Sequence, residues 1–182
     1  HYPLRRQRQM CIRDRYQYAD RLAKKGEYVP SIAFAGGITM EDHIFKALAL
    51  GAPYVKAVGM ARAPITAVMV AKNVGQRIIG EELPIYYGRY GNTVEAVFVE
   101  ASRLKNRFGK RFADISPGAI GLYTYNQRLT QGLKQLMCGA RKFAVDKLTR
   151  DDIVALTPEA AQASGIKYVM DADKEEVEKI LG

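Results

Sequence analysis

The chain has 182 residues, of which 48% are hydrophobic and 26% charged, a composition that is ordinary for a globular protein with a sizeable core. This composition excludes a mainly disordered chain, and no apolar run reaches the roughly 18 to 20 residues of a membrane-spanning helix. The two cysteines form no CxxC motif and no Cys/His cluster. Neither a disulfide framework nor a metal site is therefore indicated, and a reducing, cytoplasmic setting is expected.

The formal net charge of +9 is unevenly distributed along the chain. Residues 86–150 carry twelve basic and four acidic side chains, whereas residues 151–182 carry three basic and eight acidic ones. A basic segment can bind nucleic acid or an acidic partner, but a run of charge is more often a solvated face. Nucleic acid is therefore not the expected partner. A basic helical module that binds nucleic acid or another protein stays as an alternative.

The opening sequence HYPLRRQRQMCIRDRYQ has no helical or strand period and no apolar region typical of a signal peptide. It resembles the translated remnants of sequencing adapters. We therefore expect residues 1–17 to be non-native or disordered, and the chain to be the C-terminal piece of a longer one. The alternative is a native basic arm that binds an acidic partner. Residues 18–28 then predict the end of a helix.

Two strand–glycine–helix units follow one another in the stretch IAFAGGITMEDHIFKALALGAPYVKAVGMAR, residues 32–62. Both strands lack polar alternation, which is typical of parallel strands covered on both faces. Because parallel strands are joined by right-handed crossovers, both glycine turns are expected at one edge of the sheet. The predicted elements are, in order, a strand (31–35), a turn (Gly36 and Gly37), a helix (40–50), a second strand (54–58), a second turn (Gly59) and a second helix (64–72).

The rest of the chain predicts helices and no further strand–helix unit. A turn-rich linker, GEELPIYYGRYG, separates these helices from the two units. The predicted helices are the segment NTVEAVFVEASRLKNRFG with a capping box of Asn92 and Glu95, a long helix from Pro117 to about Cys138 with Ser116 as N-cap, and two short helices over 158–164 and 174–181.

The two glycine turns are the features that indicate chemistry. Phosphate oxygens are bound by backbone N–H groups, and glycine permits this close approach because it has no Cβ. Gly36 and Gly37 would supply one such turn and Gly59 the second. Arg62, at the start of the next helix, can add charge or its own N–H. A single glycine pair is most often only a tight turn, whereas two successive turns at this spacing are more specific for phosphate.

The same stretch resembles the closing units of the FMN-dependent (β/α)8 barrels, whose pattern is S/A-G-G-I, a helix ending A-L-A-L-G-A and a strand ending V-G. The tail that contains GLKQLMCGARKF is most similar to the FMN-binding glutamate synthase family. The resemblance implies an α/β fold in which residues 18–80 are the C-terminal part of a (β/α)8 TIM barrel, namely its last two βα units. Residues 81–182 would be an α-helical extension.

The resemblance also implies a function, that of an FMN-dependent oxidoreductase that aminates 2-oxoglutarate to glutamate with ammonia derived from glutamine. Its partners would be an electron-donor or glutaminase chain, with no membrane involved. Other FMN barrel enzymes, similar to IMP dehydrogenase, 2-hydroxy-acid oxidase or isopentenyl diphosphate isomerase, are the alternative. The residues that would bind the FMN phosphate through backbone amides are Gly36, Gly37, Gly59, Met60, Ala61 and Arg62.

The sequence departs from the family in one respect. Large-subunit glutamate synthases carry three cysteines for a [3Fe–4S] cluster shortly after the second of these strands, and residues 59–78 contain none. No iron–sulfur cluster bound by this segment is therefore expected, and electron delivery through one is put in doubt. The catalytic residues and the substrate are not identified by the sequence.

Three further residues have plain structural interpretations. Lys56 lies in an apolar strand and is expected to pair with a carboxylate or to reach the rim of the barrel, although it could also face the flavin. His43 is expected to be a surface or packing histidine rather than an acid–base group. Cys138, at the end of the long helix, is expected to be buried and inert.

Overall fold

The computed structural model describes residues 2–82 and 84–182. It divides into two compact units. The first, here called the sheet unit, comprises His1–Gly59 and Leu133–Gly182, and the second, the helical unit, comprises Met60–Gly132. None of the helices in the described ranges is long and apolar enough to cross a membrane.

The described elements are predominantly helical, with one two-stranded sheet. The α-helices are α1 (Tyr2–Lys24), α2 (Glu41–Gly51), α3 (Arg62–Ile79), α4 (Ile85–Gly88), α5 (Val94–Val97), α6 (Ala101–Phe108), α7 (Pro117–Gly139), α8 (Pro158–Ser164) and α9 (Lys174–Leu181). The strands are β1 (Ile32–Ala35) and β2 (Val55–Gly59), and short 3₁₀ helices cover Gly109–Asp114, Val145–Lys147, Arg150–Asp152 and Val169–Asp171.

This architecture contradicts the predicted fold class. The structure is 65% helical, and the two strands form the single parallel sheet of the described residues. Two strands cannot close a barrel, because eight are needed to enclose a core of side chains. The prediction of a partial (β/α)8 TIM barrel with a helical extension is therefore wrong as a fold class. The local order strand, helix, strand, helix over residues 32–79 was predicted correctly.

The sheet is covered on one side only, contrary to the prediction from its apolar sequence. Ile32 and Phe34 of β1 pack onto a core cluster of the sheet unit, whereas Ala33 and Ala35 are exposed. Alternate burial of this kind is typical of a strand with one solvated face. The buried residues of this cluster are Phe45, Leu48, Val55, Met137 and Leu148.

Lys56 is the extra residue of a bulge in β2. Ile32 pairs with Val55 and Ala33 pairs with Ala57, so that Lys56 has no partner position on β1. A bulge re-aims the residue that it contains. Lys56 is accordingly exposed, which explains how a lysine is tolerated within an apolar strand.

A second cluster of the sheet unit packs the end of α2 against the acidic part of the chain. Its buried residues are Leu50, Ala155 and Ile166. Arg150 joins the same elements, because its guanidinium donates to the carbonyl oxygens of Leu50, Ser164 and Gly165. The bonds to Ser164 and Gly165 are both 3.0 Å long.

The beginning of the chain forms a longer helix than the sequence predicts. Helix α1 spans 23 residues and packs against α2 and α8, with Ala19 buried. Such tertiary packing overrides a weak local period. Whether residues 1–17 are native stays a prediction.

The helical unit depends on close contact between α3 and α7. A Cβ at Gly75 would overlap Pro117, and one at Gly121 would overlap Ala71. Only glycine therefore lets these two helices approach so closely. The buried core of this unit consists of Ala101, Leu104 and Ile120.

The single helix predicted over residues 92–109 is divided into α5 and α6. Thr93, rather than Asn92, is the N-cap of α5, and its side chain accepts from the Ala96 amide at 3.2 Å. The predicted capping box of Asn92 and Glu95 is therefore wrong. Helix α6 ends before Gly109, as predicted, because that glycine has a φ of 55°.

Candidate functional site

The predicted phosphate turn follows β1 directly. Gly36 has a φ of 103° and Gly37 a φ of 67°, conformations that residues with a Cβ rarely adopt. Both glycines are exposed, and a Cβ at Gly36 would meet no atom within 4 Å. The backbone conformation, rather than crowding, is thus the reason for glycine at Gly36. The turn leaves open space for a ligand beside its backbone.

Gly59 lies next to this turn, at the same carboxyl end of the two parallel strands. It ends β2 and is the register partner of Ala35, the last residue of β1. A Cβ at Gly59 would lie 3.1 Å from the Cβ of Ala35. Gly59 therefore has a packing role of its own, because it allows the carboxyl ends of the two strands to lie side by side.

The other three predicted phosphate ligands belong to the helical unit. Ala61 is the N-cap residue of α3, with a φ of −124°, and Arg62 is its first residue. Arg62 is exposed, and its carbonyl accepts from the Thr66 hydroxyl at 2.9 Å. Within one unit the structure brings together Gly36, Gly37 and Gly59, whereas Met60, Ala61 and Arg62 begin the other.

A cleft of about 920 Å³ lies in the sheet unit between α1, β1 and α2. It includes Gly36 and Gly37, and its volume is in the usual range of small-molecule sites. The sequence did not predict this cleft, because the cleft depends on where α1 packs. Its apolar lining residues include Tyr18, Ala19, Leu22, Ala33, Phe34, Ala47 and Leu50.

His43 is one of the polar residues of the cleft. Its Nδ1 accepts from the Thr39 backbone N–H at 3.3 Å and lies 3.2 Å from the Thr39 hydroxyl. Because the amide can only donate, Nδ1 is the acceptor and the neutral ring carries its proton on Nε2. The histidine thus offers a donor, and its Nε2 lies 4.0 Å from Asp42 Oδ2. A catalytic role for His43 has no support in these contacts.

Lys46 brings positive charge to the same cleft. Its Nζ donates to Asp42 Oδ2 at 2.8 Å, one helical turn earlier in α2. This hydrogen bond is the main reason that the pKa of Asp42 lies below its ordinary value, with the lysine's charge acting in the same direction. The charge of Lys46 is therefore already shared with a carboxylate.

Comparisons of the chain with protein-family models, curated proteins and solved structures found no match. The resemblance to the FMN-binding glutamate synthase family therefore stays a prediction from the residues of the two glycine turns.

The carboxyl end of the two strands, where Gly36, Gly37 and Gly59 lie, fits a phosphate group on geometric grounds. Gly36 and Gly37 are exposed at the carboxyl end of a parallel strand, and Gly36 lacks the Cβ that would otherwise fill the space beside it. Ligands of α/β folds bind at that end of the strands. Gly59 adds a second backbone segment without a side chain at this end of the sheet.

The predicted burial of Cys138 is wrong. Its side chain is exposed, whereas the neighbouring Met137 is buried in the core cluster of the sheet unit. Successive residues of a helix point about 100° apart, so that the buried face of α7 includes Met137 but not Cys138.

Proposed function

We propose that this chain anchors the phosphate of FMN in an FMN-dependent oxidoreductase similar to the glutamate synthases. The observation that carries the proposal is the pair of glycines with positive φ at the end of β1, directly beside Gly59 at the end of the parallel strand β2. Concave turns of backbone N–H groups bind anions without the need for a charged side chain.

The roles of the individual residues follow from their backbone. Gly36, Gly37 and Gly59 would hold the phosphate through their N–H groups. When bound, FMN would supply two-electron transfer, while the chain supplies binding and orientation. The proposed reaction is the amination of 2-oxoglutarate with ammonia from glutamine, in the cytoplasm, with an electron-donor or glutaminase chain as partner. Another FMN enzyme with the same turns is the second candidate.

The test is a titration of the purified chain with FMN and with riboflavin, followed by quenching of flavin fluorescence. We expect FMN to bind at least about tenfold more tightly, because a phosphate held by several amide donors contributes more than about 1.4 kcal/mol. Gly36→Val should remove most of this preference.

Gly109→Val is the matched control. Gly109 also has a positive φ, of 55°, and also has no atom within 4 Å of a Cβ position, but it lies in the helical unit. Circular dichroism of both variants shows whether they fold. Equal affinity for FMN and riboflavin, or equal loss in the two variants, would contradict the proposal.

A further inference from the structure

We propose that the open edge of β1, within the cleft between α1 and α2, binds the ring system of the phosphate ligand by backbone hydrogen bonds. The inference rests on the proposed function, since it takes the phosphate to lie at Gly36 and Gly37. The ligand class is a phosphomonoester with a planar, largely apolar ring that carries donors and acceptors along one edge.

The position of the cleft relative to β1 is the first argument. Nine consecutive residues, 30–38, line the cleft. A cleft over one face of a strand would be lined by every second residue, because successive side chains point to opposite faces. The cleft therefore runs along an edge of β1. Since β2 occupies the other edge, this is the edge that no described strand covers.

The hydrogen-bond pattern of β1 is the second argument. The Ile32 N–H donates to the Tyr54 carbonyl at 3.3 Å, and this bond points toward β2. In a parallel strand, backbone groups of alternate residues point to opposite edges. The N–H and C=O groups of Ala33 and Ala35 thus point toward the cleft. Backbone groups need partners, and a ring with a polar edge can provide them.

The walls of the cleft are the third argument. Tyr18 and Leu22 of α1 and Ala47 and Leu50 of α2 line the cleft. These side chains suit the apolar faces of a planar ring. All four lie outside residues 1–17, whereas Cys11, Ile12 and Arg15, which also line the cleft, lie within that segment.

The decisive variant is Ala33→Pro, which removes one N–H from the open edge. Proline is tolerated in an edge strand where the missing N–H faces away from the neighbouring strand. We expect the variant to fold and to bind FMN about five- to tenfold more weakly, while glycerol 3-phosphate, which has no ring, competes as well as before. Phe34→Pro is the contrasting variant, because it removes a bond to β2 and should unfold the sheet.

A second variant leaves the strand untouched. Leu22→Asp places a charge on the apolar wall of the cleft. It should also weaken the binding of FMN but not the binding of glycerol 3-phosphate. Leu156→Asp is its control, since Leu156 is 75% exposed and does not line the cleft.

The outcomes separate this inference from the proposed function. Unchanged FMN affinity in both Ala33→Pro and Leu22→Asp overturns the inference. The proposed phosphate site at Gly36 and Gly37 is still supported in that case if Gly36→Val weakens the binding of FMN. A wild-type chain that binds neither FMN nor glycerol 3-phosphate overturns both. Weaker FMN binding with unchanged glycerol 3-phosphate binding in the two variants supports the inference.

Discussion

Gly36 and Gly109 have the same backbone requirement but lie in different places. Each has a positive φ and open space at its Cβ position. Replacement by alanine should therefore lower the free energy of unfolding by about 1 kcal/mol at each position, because an L-residue is strained there and no neighbour is displaced. Urea denaturation of Gly36→Ala and Gly109→Ala checks this. A loss of several kcal/mol at Gly36 would mean that the turn is packed rather than open.

The ion pair of Asp42 and Lys46 gives a pH-dependent contribution to stability. Because the pKa of Asp42 is lowered in the folded chain, its contribution is present above the ordinary pKa and is lost as the pH falls through the lowered value. Both side chains are largely exposed, so we expect Lys46→Met to cost only about 0.3 to 0.5 kcal/mol at neutral pH. This difference should disappear as the pH falls below the lowered pKa of Asp42.

The check is a pair of urea denaturation curves at neutral and acidic pH for the wild type and for Lys46→Met. Lys147→Met is a suitable control. Lys147 Nζ lies 3.6 Å from Oδ2 of Asp146, the preceding residue, and both side chains are exposed. A difference between wild type and Lys46→Met that persists in acid would show that Lys46 acts through packing instead of charge.

At the scale of the element, Arg150 links the end of α2 to the end of α8. Burial lowers the pKa of its guanidinium, which nevertheless stays charged at any ordinary pH. It donates to three carbonyl groups, and its guanidinium carbon lies 4.1 Å from the centre of the Tyr16 ring. Lysine cannot reproduce this planar fork.

We therefore expect Arg150→Lys to lower the free energy of unfolding by about 2 kcal/mol, since at least one charge-assisted hydrogen bond is lost and a carbonyl is left without its donor. The exposed Lys147 provides the comparison, as Lys147→Ala should change stability by less than about 0.5 kcal/mol. Denaturant midpoints of the two variants give the answer. Similar midpoints for both variants would show that water replaces Arg150 as the hydrogen-bond donor to these carbonyl groups.

Local signals predicted the elements well wherever a glycine or proline marks a boundary. The glycine turn after β1, the start of α7 at Pro117 and helix α8 at Pro158–Ser164 were all predicted within a residue or two. The covering of β1 was predicted wrongly, because Ala33 and Ala35 are apolar enough for a buried strand and small enough for an exposed one. Sequence alone does not distinguish these cases, since burial depends on what packs against the strand.

At the scale of the whole molecule, the error was to assign the two βα units to the C-terminal part of a (β/α)8 barrel. The residues of the turns identify a local unit, but closure of a barrel depends on strands that pair over long distances. The cleft was missed for a related reason. Its wall includes α1, whose packing against α2 and α8 has no signal in the local period of residues 2–24.

The exposed apolar surface leads to a prediction for the chain in solution. The two-stranded sheet leaves one edge of each strand uncovered among the described residues, and several large apolar side chains are exposed, including Phe143 (84%) and Leu156 (75%). Open strand edges and apolar patches favour association. Sedimentation velocity should show a fraction of oligomers that increases with protein concentration and that salt does not dissociate.

The double variant Phe143→Ser and Leu156→Ser should reduce this association, whereas Lys147→Ser, which removes an exposed charge from the same unit, should not. A chain that sediments as a monomer at every concentration and melts in one cooperative step would contradict the prediction.

The alternation in β1 also limits how the strand can change in length. Even-numbered Ile32 and Phe34 face the core, and odd-numbered Ala33 and Ala35 face outward. One inserted residue before Phe34 would exchange the two faces from that point on and place a phenylalanine on the exposed face, where an alanine now lies. Two inserted residues would restore the faces but move the glycine turn by about 6 to 7 Å, out of step with Gly59. A longer strand would therefore lose either its contacts with the core or the alignment of the glycine turn with Gly59.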